Sequence, residues 1–306
     1  MFGALEGPHV SFFIEEELAS QPDCWRQAGS VASEHAAALP QPGERVAVVG
    51  CGTSWFMAMS YAVLRESAGA GETDAFAGSE FPKGRQYDRI VAITRSGTTT
   101  EVIDLLAANR GTPSTVITGV AGSPATEHAD HTVALEFADE QSVVQTRFAT
   151  TALTFLRAGL GHDVEQLAND AEAALTIDID ALIDAEQITF IGTGMSVGIA
   201  QEAALKCREA AQFWTEAYPS MDYRHGPISI AQPGRLLWSF GELPEGLAEQ
   251  FAETGGTLVE HPELDPQAGL MVAQRFALAK SLAQGLNPDA PRNLTRSVIL
   301  DSTSAA

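Results

Sequence analysis

One pattern occurs twice in this chain and limits what it can fold into. Val46-Ala47-Val48-Val49-Gly50-Cys51-Gly52-Thr53-Ser54 is matched by Ile188-Thr189-Phe190-Ile191-Gly192-Thr193-Gly194-Met195-Ser196. Each copy is a short β-rich run, a Gly-x-Gly-x-Ser turn, and a helical stretch rich in small residues, from Ala58 in the first and Ile199 in the second. A second correspondence sets Arg89 to Ile93 and the turn Thr94-Arg95-Ser96-Gly97 against Arg235 to Phe240 and Gly241-Glu242. Strands that alternate with helices imply a parallel sheet covered on both faces. Two such units imply an α/β fold of two doubly wound, flavodoxin-like parallel sheets. The expected division is 12–162 for the first unit, 163–290 for the second and 291–306 for a tail, with an N-terminal helix ahead and the break near Gly161-His162-Asp163. A length of 306 residues fits two domains of about 150 each.

Further strands are expected at Ser114 to Thr118, Thr132 to Leu135 and Gly256 to Val259, with another apolar strand at Ile228 to Ala231. Helices are expected around Ile14 to Leu18, Cys24 to Ala38, Val144 to Ala158, Val164 to Ile177, Gly246 to Thr254 and Gln267 to Gly285.

The two halves differ where chemistry would lie. After the buried run Ile90-Val91-Ala92-Ile93 comes Thr94-Arg95-Ser96-Gly97-Thr98-Thr99-Thr100-Glu101, and then a helical segment from Val102. Hydroxyls at Ser96, Thr98, Thr99 and Thr100, unpaired backbone N–H groups at a helix start and the helix dipole together form a cradle for a phosphate. Arg95 can add a charge-assisted fork. Ser and Thr are also ordinary helix caps, but a cap needs fewer hydroxyls than this turn supplies. The counterpart Gly241-Glu242-Leu243-Pro244 carries an acid and would repel phosphate. One half is therefore expected to hold the anion and the other to supply chemistry and packing.

The balance of 40 acidic against 18 basic residues gives a formal charge of −22. Such a field repels nucleic acid and acidic membranes, so any phosphate must be held by a local site. Three cysteines, Cys24, Cys51 and Cys207, form no disulfide framework, and a reducing, cytoplasmic compartment fits them. Neither a signal-peptide pattern nor an apolar run of about 18 residues occurs. The third glycine of a dinucleotide fingerprint would fall at Trp55 or Val197, and no GxxxxGK[ST] loop is present. His128 and His131 have the spacing of a metal pair but no evident third ligand, so neither a metal nor another cofactor is expected.

In the second half Glu202, Lys206 and Glu209 are spaced by four and three and share one helix face. A solvated Glu-Lys-Glu ladder would have the same spacing. The flanking Ala203, Ala204, Leu205, Cys207, Ala210 and Ala211 are small or apolar, which favours a pocket wall over a free surface. His225 lies in a loop that ends at Gly226-Pro227.

These motifs, in this order, resemble the SIS (sugar isomerase) family, and within it the isomerase half of the glucosamine-6-phosphate synthases. The residues that carry the resemblance are Gly50 to Ser54, the Ser96-Gly97 turn, Tyr218 to Pro227, Glu17-Leu18 with Gln21-Pro22, Glu202 to Glu209, and the tail Pro291 to Val298. The resemblance implies two SIS domains, a phosphorylated sugar as ligand, and a homodimer with sites shared across the interface. It places Thr53, Ser54, Thr94, Arg95, Ser96 and Thr99 around the phosphate and sugar. Glu209 matches the carboxylate that moves a proton between C1 and C2. His225 matches a ring-opening histidine lent by the neighbouring subunit, and Glu202 and Lys206 line the same pocket. The implied activity is aldose–ketose isomerisation of a hexose or amino-hexose 6-phosphate through an enediol. That chemistry needs one well-placed base and donors for a developing oxyanion.

Three departures narrow the expectation. The chain starts Met1-Phe2, without the cysteine nucleophile of a glutaminase, so a complete glutamine-dependent synthase is not expected. The tail lysine that condenses with the ketose in that family is here Arg296, and a guanidinium cannot serve as a Schiff-base amine. A family serine beside the phosphate is here Gln145. An amino-sugar-phosphate deaminase/isomerase or deglycase therefore stands beside the isomerase, and a non-catalytic phosphosugar sensor is the alternative from another class.

Overall fold

The computed structural model describes residues 11–300. Residues 1–10 and 301–306 lie outside it, including the end of the expected tail.

All strands pair in parallel. The first sheet is built from β1 (Val46–Gly50), β2 (Thr73–Ala77), β3 (Arg89–Ile93), β4 (Ser114–Thr118) and β5 (His131–Ala134), in the spatial order β2-β1-β3-β4-β5. The second contains β6 (Gln187–Gly192), β7 (Thr215–Pro219), β8 (Arg235–Phe240) and β9 (Thr257–Glu260), in the order β7-β6-β8-β9. Every residue of β1, β3, β4 and β6 is buried, as strands covered on both faces must be. Val46 pairs with Arg89 and Val49 with Ala92, so β1 and β3 leave the sheet side by side. The strand order reverses between them, and open α/β sheets bind their ligands at the carboxyl ends of such a pair.

The helices are α1 (Phe13–Ala19), α2 (Gln21–Ala32), α3 (Thr53–Ser67), α4 (Thr100–Ala108), α5 (Arg147–Gly159), α6 (Val164–Ala174), α7 (Ser196–Ala211), α8 (Leu247–Ala252) and α9 (Pro266–Ala283). One apolar core runs through both halves and includes the fully buried Trp25, Met57, Phe148, Phe155, Phe190, Ile199 and Phe276. Buried polar side chains on the bridging helices pair with one another across the core. Gln267 on α9 donates to the Thr154 hydroxyl (2.7 Å) and the Thr150 carbonyl (3.0 Å) of α5.

The approach of α3 to α7 positions the site, because each helix carries a cavity wall. Gly198 makes this approach possible. A Cβ there would lie 2.4 Å from both the Phe56 carbonyl oxygen and the Ser60 hydroxyl, and the Phe56 atom is backbone that cannot swing aside. Gly198→Ala is expected to destabilise the fold by about 1–3 kcal/mol through overpacking. Urea denaturation measures this, and an unchanged midpoint would contradict the close approach.

The structure corrects several sequence expectations. The edge strands β2 and β7 were not expected; both are half-buried, with Asp74 and Glu216 at their second positions. Ile228 to Ala231 is no strand. Pro227–Ile230 forms a 3-10 turn, with proline at its first position presetting the backbone. Helix α5 starts at Arg147 rather than Val144, because the Glu140 carboxylate accepts the backbone N–H groups of Thr146 (2.5 Å) and Arg147 (2.8 Å). Helix α2 ends at Ala32, short of Ala38. Among the described residues no helix is long and apolar enough to cross a membrane.

Candidate active site

Two turns meet above the switch point. The first, Cys51 to Ser54, passes through Gly52 in a left-handed conformation (φ +53°) and opens α3 with the buried Thr53 and Ser54. The second follows β3. Thr94, Arg95 and Ser96 are buried, and Gly97 turns the chain at φ +63°. Gly97 is required twice over, since a Cβ there would fall 1.8 Å from the Ser123 hydroxyl. Thr99 precedes α4 in an extended conformation, and its side chain does not cap the helix. At the α4 start the Thr100 N–H donates to the Val298 carbonyl (3.3 Å) and the Val102 N–H to the Thr99 carbonyl (3.2 Å).

Between the turns is a small cavity of about 30 Å³, lined by Ser54, Thr94, Arg95, Ser96, Thr99, Gln145 and Arg296 among others. Two buried polar atoms on its wall, the Thr94 hydroxyl and Gln145 Oε1, have no protein partner. Buried polar groups are normally satisfied, so unpaired ones facing a cavity mark where a polar ligand fits. Thr99, Gln145, Cys51 and Arg296 also line a larger cavity of about 180 Å³, whose other walls are Thr53, Lys206, Glu209 and the tail from Leu294 to Val298. Thr53, Ser54, Thr94, Arg95, Ser96, Thr99 and Gln145 of the sequence-derived binding set line these two cavities, and Glu202 lines neither.

Arg95 is placed differently from the expected phosphate fork. Its guanidinium donates to the carbonyls of Ser142 (2.8 Å), Val143 (3.4 Å) and Arg296 (3.1 Å), with the buried Glu140 carboxylate 3.7 Å away. It fastens the 142–143 loop and the tail to the turn. Burial lowers its pKa from the usual arginine value, and Glu140 opposes that shift. Not all turn hydroxyls face the cavity either. The Thr98 hydroxyl pairs with Ser96 (2.9 Å) and Ser297 (2.8 Å), and Thr100 accepts the Leu300 N–H (2.9 Å). Arg296 directs its guanidinium to the Asp139 carboxylate (2.5 Å) and the Glu140 carbonyl.

On α7 Lys206 and Glu209 line the larger cavity and Glu202 is buried without lining it, so the three are not a solvated ladder. Lys206 is 1 % exposed. Its ammonium donates to Glu209 Oε2 (2.5 Å) and to the Thr53 hydroxyl (3.0 Å), and lies 3.3 Å from Glu202 Oε1. A single cation thus holds two carboxylates and bridges to the first half of the chain. Burial pushes the Glu202 pKa up to about 7, with Glu209 adding to the rise and Lys206 opposing it. Burial alone would lower Lys206, but its two carboxylates outweigh that and hold it above the ordinary lysine value.

Glu202 gives stability a direction with pH. Its folded pKa lies above the unfolded value of 4.5, so the folded state binds the extra proton and loses stability as pH rises from about 4.5 to about 7. In urea titrations across that window, Glu202→Gln should have a flatter profile than the wild type. An equal slope would show that Glu202 does not carry the effect.

His225 is not brought to this cavity by its own chain. It ends an exposed 3-10 turn, Asp222–His225, and is absent from the cavity walls. Sequence reasoning missed Glu140, Asp139 and Glu17, which build the support beneath the site. Glu17, buried in α1, accepts the Gln141 N–H (2.5 Å) and so holds the loop that Arg95 and Arg296 grip. An acidic pair just before a helix start is the signal that could have exposed Asp139 and Glu140. Among the described residues no three His, Cys, Asp or Glu side chains converge as metal ligands would.

Residues 41–158 match the family described as the SIS domain. This segment is similar to an SIS domain. It contains both turns and the hydroxyls of Thr53, Ser54, Thr94, Ser96, Thr98, Thr99 and Thr100. Curated relatives of the whole chain include the isomerizing glutamine–fructose-6-phosphate aminotransferases of Sulfolobus acidocaldarius, 27% identical over 84% of this chain and 50% of that protein, and of Pyrobaculum aerophilum, 27% identical over 96% and 58%. The chain spans about half the length of the curated relatives it matches. Among solved structures, glucosamine-6-phosphate deaminase from Thermotoga maritima superposes with a TM-score of 0.77 at 22% identity, covering 94% of this chain and 99% of that one. Tagatose-6-phosphate ketose/aldose isomerase from Escherichia coli gives 0.77 at 20% identity, covering 98% and 99%. These likenesses establish the fold.

Proposed function

We propose that the chain is a phosphosugar isomerase that interconverts the aldose and ketose forms of a hexose or amino-hexose 6-phosphate. The observation that carries this reading is the position of Glu209. Its carboxylate, tied by one oxygen to the buried Lys206, stands on the wall of a cavity that continues into the hydroxyl-lined pocket at Thr94 to Thr99. The phosphate occupies the hydroxyl pocket, where Ser54, Thr94, Ser96 and Thr99 donate to it. The sugar chain then runs past Glu209. Glu209 takes the C–H proton beside the carbonyl, an enediolate forms, and the same carboxyl returns the proton to the neighbouring carbon. Lys206 and the Thr53 hydroxyl lie close enough to steady the oxyanion.

The rest of the reading follows the resemblance and is proposed with it. The chain has two SIS domains, 12–162 and 163–290, with 291–306 as a tail over the site. It works in the cytoplasm as a homodimer in which His225 of a second copy opens the sugar ring. One observation favours a variant of this chemistry. Arg296, paired with Asp139, stands where a Schiff-base lysine would be needed for nitrogen transfer. Amine release from an amino-sugar phosphate by the same base needs no such lysine. A test is calorimetric titration with fructose 6-phosphate, glucose 6-phosphate and glucosamine 6-phosphate, with ammonia release followed in parallel. Binding with isomerisation and no ammonia supports the isomerase, ammonia moves the chain to the deaminase/deglycase class, and binding without turnover makes it a sensor.

A further inference from the structure

Three cations line the hydroxyl pocket and the sugar cavity: Arg95, Lys206 and Arg296. The hydroxyls that donate to the phosphate are neutral, and the chain as a whole carries −22. A phosphate taken out of water into this field needs a positive group beside it. Arg95 is already committed, to three carbonyls and the buried Glu140. Lys206 is shared by Glu202 and Glu209, and it lines the sugar cavity but not the hydroxyl pocket. Of the three cations, only Arg296 lines both.

Arg296 is also the cation whose charge is easiest to release. Its guanidinium donates to Asp139 Oδ1 (2.5 Å) and to the Glu140 carbonyl. The Arg296 and Asp139 side chains are 38% and 31% exposed, against 1% and 0% for Arg95 and Glu140. An ion pair this open to water is weak. The Asp139 carboxylate accepts no other hydrogen bond among the described residues, so it can turn to solvent at little cost. Glu140 cannot follow it, because its carboxylate holds the Thr146 and Arg147 N–H groups at the start of α5. The backbone around Arg296 is fastened without the guanidinium. Arg95 holds the Arg296 carbonyl (3.1 Å), Ser297 pairs with Thr98 (2.8 Å), and the Val298 carbonyl accepts the Thr100 N–H (3.3 Å). The side chain can therefore change partner while the tail stays in place.

We infer that Arg296 is the counter-charge of the ligand's phosphate, and that Asp139 competes with the phosphate for it. On binding, the guanidinium exchanges the Asp139 carboxylate for a phosphate oxygen, and Asp139 turns outward. Asp139 thus sets a threshold that a dianionic end group passes more readily than a monoanionic one. The inference rests on the sugar-phosphate reading of the site. The test is calorimetric titration at pH 8 with fructose 6-phosphate, a dianion there, and fructose 6-sulfate, a monoanion of the same shape. A Glu209→Gln background prevents turnover. Into it are placed Asp139→Asn, Arg296→Gln, Arg296→Lys and the Asp139→Asn, Arg296→Gln double variant. Asp139→Asn should tighten fructose 6-phosphate binding about two- to fivefold, the worth of a half-exposed ion pair. Arg296→Gln should weaken it by at least about tenfold, as loss of a charge-assisted hydrogen bond does, with a smaller loss for the sulfate. Arg296→Lys should keep most of the affinity, and Asp139→Asn should change nothing once Arg296 is glutamine. Unchanged or weaker binding by Asp139→Asn would make the pair a fixed strut of the tail and overturn the competition. Equal losses in the lysine and glutamine variants would put the effect on tail structure and overturn the counter-charge. Normal binding by Arg296→Gln would also overturn it, leaving the sugar-phosphate reading intact. Binding of neither ligand by the Glu209→Gln parent would overturn both.

Discussion

Glu209→Gln is expected to lower turnover of the preferred hexose 6-phosphate by roughly 10²- to 10⁴-fold while leaving its binding nearly unchanged. The amide keeps the size and shape of the carboxylate but cannot accept the C–H proton. The phosphate contacts, at the far end of the cavity, are untouched. The loss should therefore fall on kcat and not on KM, as for a group that acts only in the transition state. Steady-state kinetics with a binding titration separates the two. Equal loss of kcat and affinity would mean that Glu209 binds the sugar and some other group moves the proton.

The second large effect belongs to Lys206. Lys206→Met should cost about 3–5 kcal/mol of stability at pH 8, since it leaves two carboxylates facing one another with no cation between them. Glu202 is fully buried and already raised to about 7 with the lysine present. Without the ammonium, whose pull lowers it, the Glu202 pKa rises further. The folded variant then holds a proton that the unfolded chain releases, and stability falls as pH rises. The deficit should therefore be large at pH 8 and shrink toward pH 5, where Glu202 is protonated. Denaturant unfolding of variant and wild type at the two pH values measures this. A deficit independent of pH would point to lost packing of the lysine stem, not to stranded charge. Glu202→Gln added to Lys206→Met should recover part of the loss by removing one of the two acids.

The parts legible in the sequence were those with local, repeated chemistry. The paired Gly-x-Gly-x-Ser turns exposed the two sheets, because a strand buried on both faces is apolar at every position and needs glycine to turn at its end. The spacing of Glu202, Lys206 and Glu209 gave a common face, and their small neighbours pointed to burial. What failed depended on distant contacts. Arg95 resembled a phosphate fork in its turn, but carbonyls about 50 and 200 positions away, at Ser142, Val143 and Arg296, claim its guanidinium. The start of α5 was misplaced because its cap, Glu140, reaches it from six positions upstream. Edge strands β2 and β7 lack the apolar runs of central strands, since one side of each meets solvent or the chain's own loops. Ile228 to Ala231 has strand composition, but Pro227 opens a tight turn that four residues complete.

The central claim is proton transfer by Glu209 on a phosphate-anchored sugar. Proton NMR of the wild-type chain in D₂O, with a panel of hexose 6-phosphates and 6-phosphorylated amino sugars and with ammonia assayed alongside, tests it directly. The account predicts loss of the C2 proton signal of one member as its ketose appears, and retention of that signal with Glu209→Gln. Intact C2 protons across the whole panel, with ligand binding demonstrated in the same samples, would contradict it.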